Sequence, residues 1–196
     1  RNGAGVFVGE YAATSKGIGT IQTKSNIWEA VEEASYLTGI ERNGDIVKMA
    51  SYAPTFAKIN SQCWNVNMIW FDSQQTVLTP SYYTQLLFSN NVGNKYIDAT
   101  FSDETTYNTE DKMYESVTID EEKQEIYVKL VNAGGEKRNI SLNFDGYDIN
   151  SASNQFITAD FKSTCNELNK NYVVPRQQEL SAENSTVSTE IGKYSV

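Results

Sequence analysis

The chain has 196 residues, with 16 basic and 25 acidic side chains and a net charge of −9. That length allows one large domain or two small ones, and the acidic balance argues against nucleic acid or an anionic membrane surface as a partner. Histidine is absent, which excludes Ser-His-Asp and Cys-His nucleophile systems, His-ligated zinc and an imidazole base within this chain, and leaves acid–base chemistry mainly to carboxylates.

Val6-Phe7-Val8, flanked by Gly3, Gly5 and Gly9, is a short apolar run that predicts a buried strand. Residues 14–25 read as a polar loop. Asn26 with Glu29 three positions on has the form of a capping box, and Ile27, Ala30, Val31, Ala34 and Leu37 follow at helical spacing until Asn43-Gly44. Residues 46–52 predict a second buried strand, which makes a βαβ unit with parallel strands. A loop carrying Trp64 and Trp70 leads to Thr79-Pro80, a helix start, and the helix runs from Ser81 to Asn90 and stops at Gly93.

Beyond residue 93 the pattern changes to alternation of period two, over 95–101, 113–119, 124–132 and 137–147, as in Ile126/Val128/Leu130 and Ile140/Leu142/Phe144. Asn132-Ala133-Gly134-Gly135 predicts a hairpin turn between two of these runs. Further strands fit 154–161 and 186–195, while 102–112 and 163–186 read as long loops. Several short strands at this spacing predict an antiparallel sandwich. Cys63 and Cys165 are read as free thiols, since two cysteines make neither a disulfide framework nor a CxxC site. No run approaches the ~18 apolar residues of a membrane span, and no signal peptide is visible. The chain opens without Met and enters an apolar run at once, so a piece of a longer protein is expected and the compartment is not legible.

The glycines at 3, 5 and 9 do not form a dinucleotide loop, because the apolar strand follows them instead of preceding them. Glu10 closes the first predicted strand and is followed by Tyr11 and Ala12. A carboxylate at the carboxyl end of a barrel strand is a candidate glycosidase group, against the plainer reading of a polar residue ending a strand. Tyr52, Trp64, Trp70, Tyr82 and Tyr83 could stack on sugar faces, although core packing is the commoner use of such residues. Asn166-Glu167 is the only Asn-Glu pair, but it falls in a predicted loop of the sandwich and is set aside.

The segments VFVGEYAA (6–13), AVEEASYLTGIERNGDIVKMASYAPTF (30–56), CWNVNMIWFD (63–72) and TPSYYTQLLFSNNVG (79–93) resemble the C-terminal portion of α-L-arabinofuranosidases of glycoside hydrolase family 51. The resemblance is densest over 6–93 and thins to fragments beyond. It implies a (β/α)8 barrel joined to a jelly-roll-like β-sandwich, with no metal or cofactor, and retaining removal of terminal α-L-arabinofuranosyl residues from arabinose-containing plant polysaccharides. Glu10, in the GEYA motif, would be the nucleophile. The acid/base Glu would lie in an Asn-Glu motif on an earlier strand that this chain does not carry. Tyr52 and Trp64 would be substrate-binding residues.

A barrel takes about 250 residues, so residues 1–93 are expected to be its last two strand–helix units and 94–196 the sandwich. The implied partners are an arabinofuranosyl oligo- or polysaccharide and the N-terminal part of the same enzyme, with pairing between copies through uncovered strand edges as a further expectation. An extracytoplasmic or secreted parent is favoured slightly. The alternative is a non-catalytic carbohydrate-binding or structural sandwich module, which would not need a βαβ segment ending in Glu-Tyr-Ala.

Overall fold

The computed structural model describes residues 3–15, 24–102 and 113–196. The predicted loops at 14–25 and 102–112 lie largely outside the described residues. The centre of the fold is helix α1, Ile27–Arg42. The capping box forms as its sequence predicts: Asn26 Oδ1 accepts from the Glu29 N–H at 3.1 Å, and Glu29 Oε2 accepts from the Asn26 N–H at 3.2 Å. The first free N–H groups of the helix are also used, with Ile27 N donating to Thr164 O at 2.9 Å and Trp28 N to Lys162 O at 3.3 Å.

All five predicted apolar positions of α1 are buried. They share one core with Leu87 and Phe88 of helix α2 (Pro80–Asn90), with Val131 and Ala133, and with Ile157 and Val173. Thr79 caps α2, its Oγ1 accepting from the Tyr82 N–H at 3.3 Å, and Pro80 sits where an N–H would have had no partner. Thr84 Oγ1 donates to Ala30 O at 3.2 Å and holds the two helices together.

Strand β1 (Val6–Tyr11) pairs in parallel with β2 (Val47–Tyr52), as the βαβ pattern predicts. The expected burial is not found. Val6, Phe7 and Met49 are exposed, and so are the neighbouring Ala50 and Ser51, so among the described residues neither face of this two-stranded sheet is covered along its length.

Between α1 and α2 the structure departs from a loop. Strands β3 (Phe56–Lys58), β4 (Ile69–Phe71) and β5 (Thr76–Leu78) form a small mixed sheet, β3 parallel to β4 and β4 antiparallel to β5. Its core is Ala57, Trp70 and Val77. Three-residue strands are too short to show periodicity.

The remainder is antiparallel. β6 (Lys95–Ile97), β7 (Met113–Asp120) and β8 (Glu125–Asn132) form one sheet. β9 (Arg138–Asn143) pairs with β13 (Thr186–Ile191), which also carries β12 (Ala182–Glu183), and β10 (Ala152–Phe156) pairs with β11 (Arg176–Leu180).

Two expectations are corrected here. β11 and β12 lie inside the predicted loop 163–186, since Arg-Gln-Gln-Glu-Leu shows no apolar alternation and pairs through its backbone. Asn132–Gly135 is not a hairpin turn either: β8 and β9 belong to different sheets. The Asn132 side chain donates to Glu136 O at 2.8 Å and Gly192 O at 2.7 Å and accepts from the Gly134 N–H at 2.9 Å, steering the chain from one sheet to the next. The fold is thus mixed and mostly β, with two helices and no closed barrel among the described residues.

Candidate active site

Glu10 is the penultimate residue of β1 and is exposed. Val8 pairs with Ala50 and Tyr11 with Tyr52, so Gly9 and Glu10 together stand opposite Ser51 alone. This bulge lies at the candidate residue, and bulges re-aim side chains next to active sites.

Tyr11 is held firmly behind it. Its hydroxyl donates to Gln85 Oε1 at 2.6 Å, and its ring lies 5.5 Å from that of Tyr36 and 5.8 Å from that of Tyr52. Burial pushes the Tyr11 hydroxyl up to about 12, opposed in part by the hydrogen bond to Gln85, so it remains a neutral donor.

Tyr52 ends β2, directly opposite Tyr11, and is buried. Burial foremost, and then the neighbouring Glu33 carboxyl, push its hydroxyl far above the ordinary range, with Ser81 and Ser25 beside it. Its ring packs edge-on against that of Tyr11 at the end of the strand pair.

Trp64 is 50% exposed, whereas Trp70 is 2% exposed and belongs to the small core. Two buried asparagines set the Trp64 segment. Asn67 Nδ2 donates to Trp64 O at 2.9 Å, and Asn65 Nδ2 donates to Thr14 Oγ1 at 3.2 Å, four residues beyond Glu10. The structure thus joins the segment bearing Trp64 to the loop that follows Glu10.

Tyr82 and Tyr83 pack edge to face on α2, with ring centres 5.3 Å apart. Asn166 is fully buried, donating to Leu78 O at 2.8 Å and Val173 O at 2.7 Å and accepting from the Val173 N–H at 2.8 Å, so it is a structural staple. Cys63 and Cys165 are free thiols. Among the described residues no group of three or more Cys, Asp or Glu is placed to hold a metal ion, and no helix is long and apolar enough to cross a membrane.

Residue-by-residue reading missed Glu33. It is 2% exposed and its Oε1 accepts from the Ala13 N–H at 3.1 Å. The signal was available: Glu33 falls between Ala30 and Leu37 at helical spacing, inside the apolar stripe of α1. The buried Asn65 and Asn67 had no such signal.

Fold and site together define a mixed, mostly-β module whose parallel strand pair ends in a bulged, carboxylate-bearing edge. The family described as the α-L-arabinofuranosidase C-terminal domain matches residues 9–195. α-L-Arabinofuranosidase 1 of Arabidopsis thaliana is 35% identical over 152 residues, 76% of this chain and 21% of that protein. Probable α-L-arabinofuranosidase A of Aspergillus oryzae is 31% identical over 197 residues, 97% of this chain and 28% of that protein.

Among solved structures, the arabinose-bound MgGH51 α-L-arabinofuranosidase superposes with a TM-score of 0.85 at 26% identity, over 100% of this chain and 32% of that one. The arabinose complex of the Thermotoga maritima α-L-arabinofuranosidase shares the fold, with a TM-score of 0.72 at 16% identity over 87% of this chain and 37% of that one. The chain belongs to the α-L-arabinofuranosidase C-terminal domain family, as a C-terminal portion of a family 51 protein. It spans between about a fifth and just over a quarter of the two curated relatives.

Proposed function

We propose that this chain is part of a retaining glycoside hydrolase that removes terminal α-L-arabinofuranosyl residues from arabinose-containing plant polysaccharides, with Glu10 as the nucleophile. The observation that carries this reading is the position of Glu10: an exposed carboxylate in a bulge at the carboxyl end of a parallel strand, within the segment that the family covers. In this reading residues 1–93 are the last two strand–helix units of a (β/α)8 barrel, whose other strands would cover the exposed faces of Phe7 and Met49, and 94–196 are an antiparallel sandwich.

In a double displacement, Glu10 attacks the anomeric carbon as a carboxylate and forms a glycosyl-enzyme ester. A second carboxyl about 5–5.5 Å away protonates the leaving oxygen and then activates water. That group belongs to the rest of the parent. Trp64 lines the sugar site, and Tyr52 holds the strand ends under it. A relative from Streptomyces chartreusis, 38% identical over 98 residues, is named an extracellular exo-α-L-arabinofuranosidase, and an extracytoplasmic parent fits that name.

The test is Glu10→Ala in the full-length enzyme. We expect kcat on an aryl α-L-arabinofuranoside to fall by roughly 10⁴-fold with folding intact, and azide to restore turnover through a product of inverted configuration. Near-normal turnover without azide would remove Glu10 from the mechanism.

A further inference from the structure

Glu29 and Glu33 stand one turn apart on α1, and both are buried, at 5% and 2% exposure. Exposed helix faces are the ordinary place for glutamates. These two point instead at one short segment of chain. Glu33 Oε1 accepts from the Ala13 N–H at 3.1 Å. Glu29 Oε1 accepts from the Ser15 N–H at 2.9 Å and from the Ser15 hydroxyl at 2.8 Å. Ala13 and Ser15 lie three and five residues after Glu10, and the intervening Tyr11 is tied to Gln85 of α2.

Around Glu33 the neighbours come from three elements: Glu29 from its own helix, Tyr52 from the end of β2 and Ser81 from α2; the Tyr11 ring on β1 also feels its charge. No cation is among the described groups acting on it, so burial dominates and pushes the carboxyl up to about 8. Burial thus favours the uncharged form of Glu33, and both Glu29 oxygens accept hydrogen bonds, Oε1 from Ser15 and Oε2 from the Asn26 N–H.

We propose that Glu29 and Glu33 are positioning residues, a two-carboxyl clamp on residues 13–15 that fixes the backbone behind Glu10 and so holds the nucleophile at its attacking geometry. The role presupposes Glu10 as the nucleophile. It adds two residues that touch neither sugar nor reacting atoms and act through the loop alone. Catalytic groups must be held within about 0.5 Å of productive geometry by such supports, and small misplacements cost rate more than binding.

The test uses the full-length enzyme and two readouts, steady-state kinetics on an aryl α-L-arabinofuranoside and amide hydrogen exchange of the peptide spanning 11–15. Glu33→Leu is expected to lower kcat by about 10–100-fold, with KM changed less than about threefold and faster exchange at Ala13. Glu33→Gln keeps both the shape and the acceptor for Ala13, and is expected to retain kcat within about threefold. Glu33→Asp withdraws the carboxyl by one methylene and should lower kcat at near-constant KM, which keeps the test decisive if the Leu variant does not fold.

A Gln variant as slow as the Leu or Asp variant overturns the clamp, as does unchanged exchange in both of those. Faster exchange in Glu33→Leu together with normal turnover of Glu10→Ala overturns the nucleophile reading, and the positioning role with it.

Discussion

Lys129 Nζ lies 3.0 Å from Glu41 Oε1, and this ion pair, 7% and 14% exposed at its side chains, joins the last turn of α1 to β8. Ser116 Oγ donates to Glu41 Oε2 at 2.6 Å, and Arg42 donates to the Glu115 carbonyl with its own carboxylate partner 3.7 Å away. The end of α1 is thus fastened to two neighbouring strands of the antiparallel sheet. Burial pulls the Lys129 ammonium below its ordinary value, and Glu41 opposes that pull.

Removing one member of this pair leaves the other largely buried and unpaired. Lys129→Ala is expected to destabilise the module by about 2–4 kcal/mol. Lys129→Met with Glu41→Leu should cost much less than the two single changes added together. Thermal unfolding of the four-membered cycle checks this, and simple additivity would show that the pair is uncoupled.

Glu33 gives a pH dependence with a defined sign. An ordinary Glu ionises near 4.5, whereas the folded protein holds this one up to about 8. The stability tied to its neutral form is fully present below about 4.5 and is lost as pH rises toward about 8. The total is on the order of a few kcal/mol. Glu33→Gln removes that slope, so its melting temperature relative to wild type should rise between pH 5 and pH 8.5. A constant difference across that range would mean that Glu33 is charged in the folded protein.

How far the sequence reveals this structure depends on the length of each signal. The helix α1 is legible because a capping pair and five apolar residues at helical spacing agree. The strands β7 and β8 are legible as the period-two runs 113–119 and 124–132, although their pairing with each other is seen only in the structure. The β3–β5 sheet is invisible because each strand has three residues, and β11 because its side chains are polar. Asn132–Gly135 has turn chemistry, but a turn sequence does not say which sheet receives the next strand; here the Asn132 amide settles that through Gly192, far along the chain. At the site, Glu10 could be read from a motif at a strand end. Glu33 could have been read only by treating a charge inside an apolar stripe as an observation. The Asn65–Thr14 contact joins loops that no local pattern relates.

Gly93 closes α2 onto the next sheet at a distance that admits no side chain. A Cβ there would lie 2.4 Å from the backbone carbon and oxygen of Ile119. Its N–H donates to Thr118 Oγ1 at 3.0 Å, and the following Asn94 N–H donates to Ile119 O at 2.9 Å, so the backbone cannot withdraw freely. Gly93→Ala should destabilise by about 1–3 kcal/mol, a fall of several degrees in melting temperature for a module of this size. An unchanged melting curve would show that β6 and β7 can move apart at this point.

The two tryptophans of the β3–β5 segment make opposite predictions. Trp70 is 2% exposed against Ala57 and Val77, so Trp70→Ala should cost about 3–5 kcal/mol of stability and lower activity only through loss of folded protein. Trp64 is half exposed, and its segment is tied to the loop beyond Glu10 by Asn65 and Thr14. In the proposed sugar site, an indole face there would cover the apolar C–H side of a sugar ring, worth roughly 1–2 kcal/mol of binding, or about a 5–30-fold change in affinity. Trp64→Ala in the full-length enzyme should therefore raise KM by about that factor, change kcat less, and leave the melting temperature within a degree or two. Phe in its place should recover most of the loss, since it keeps an apolar face. If instead Trp64→Ala melts early with an unchanged KM, the residue belongs to the packing of its own loop, and the sugar site lies on another side of Glu10.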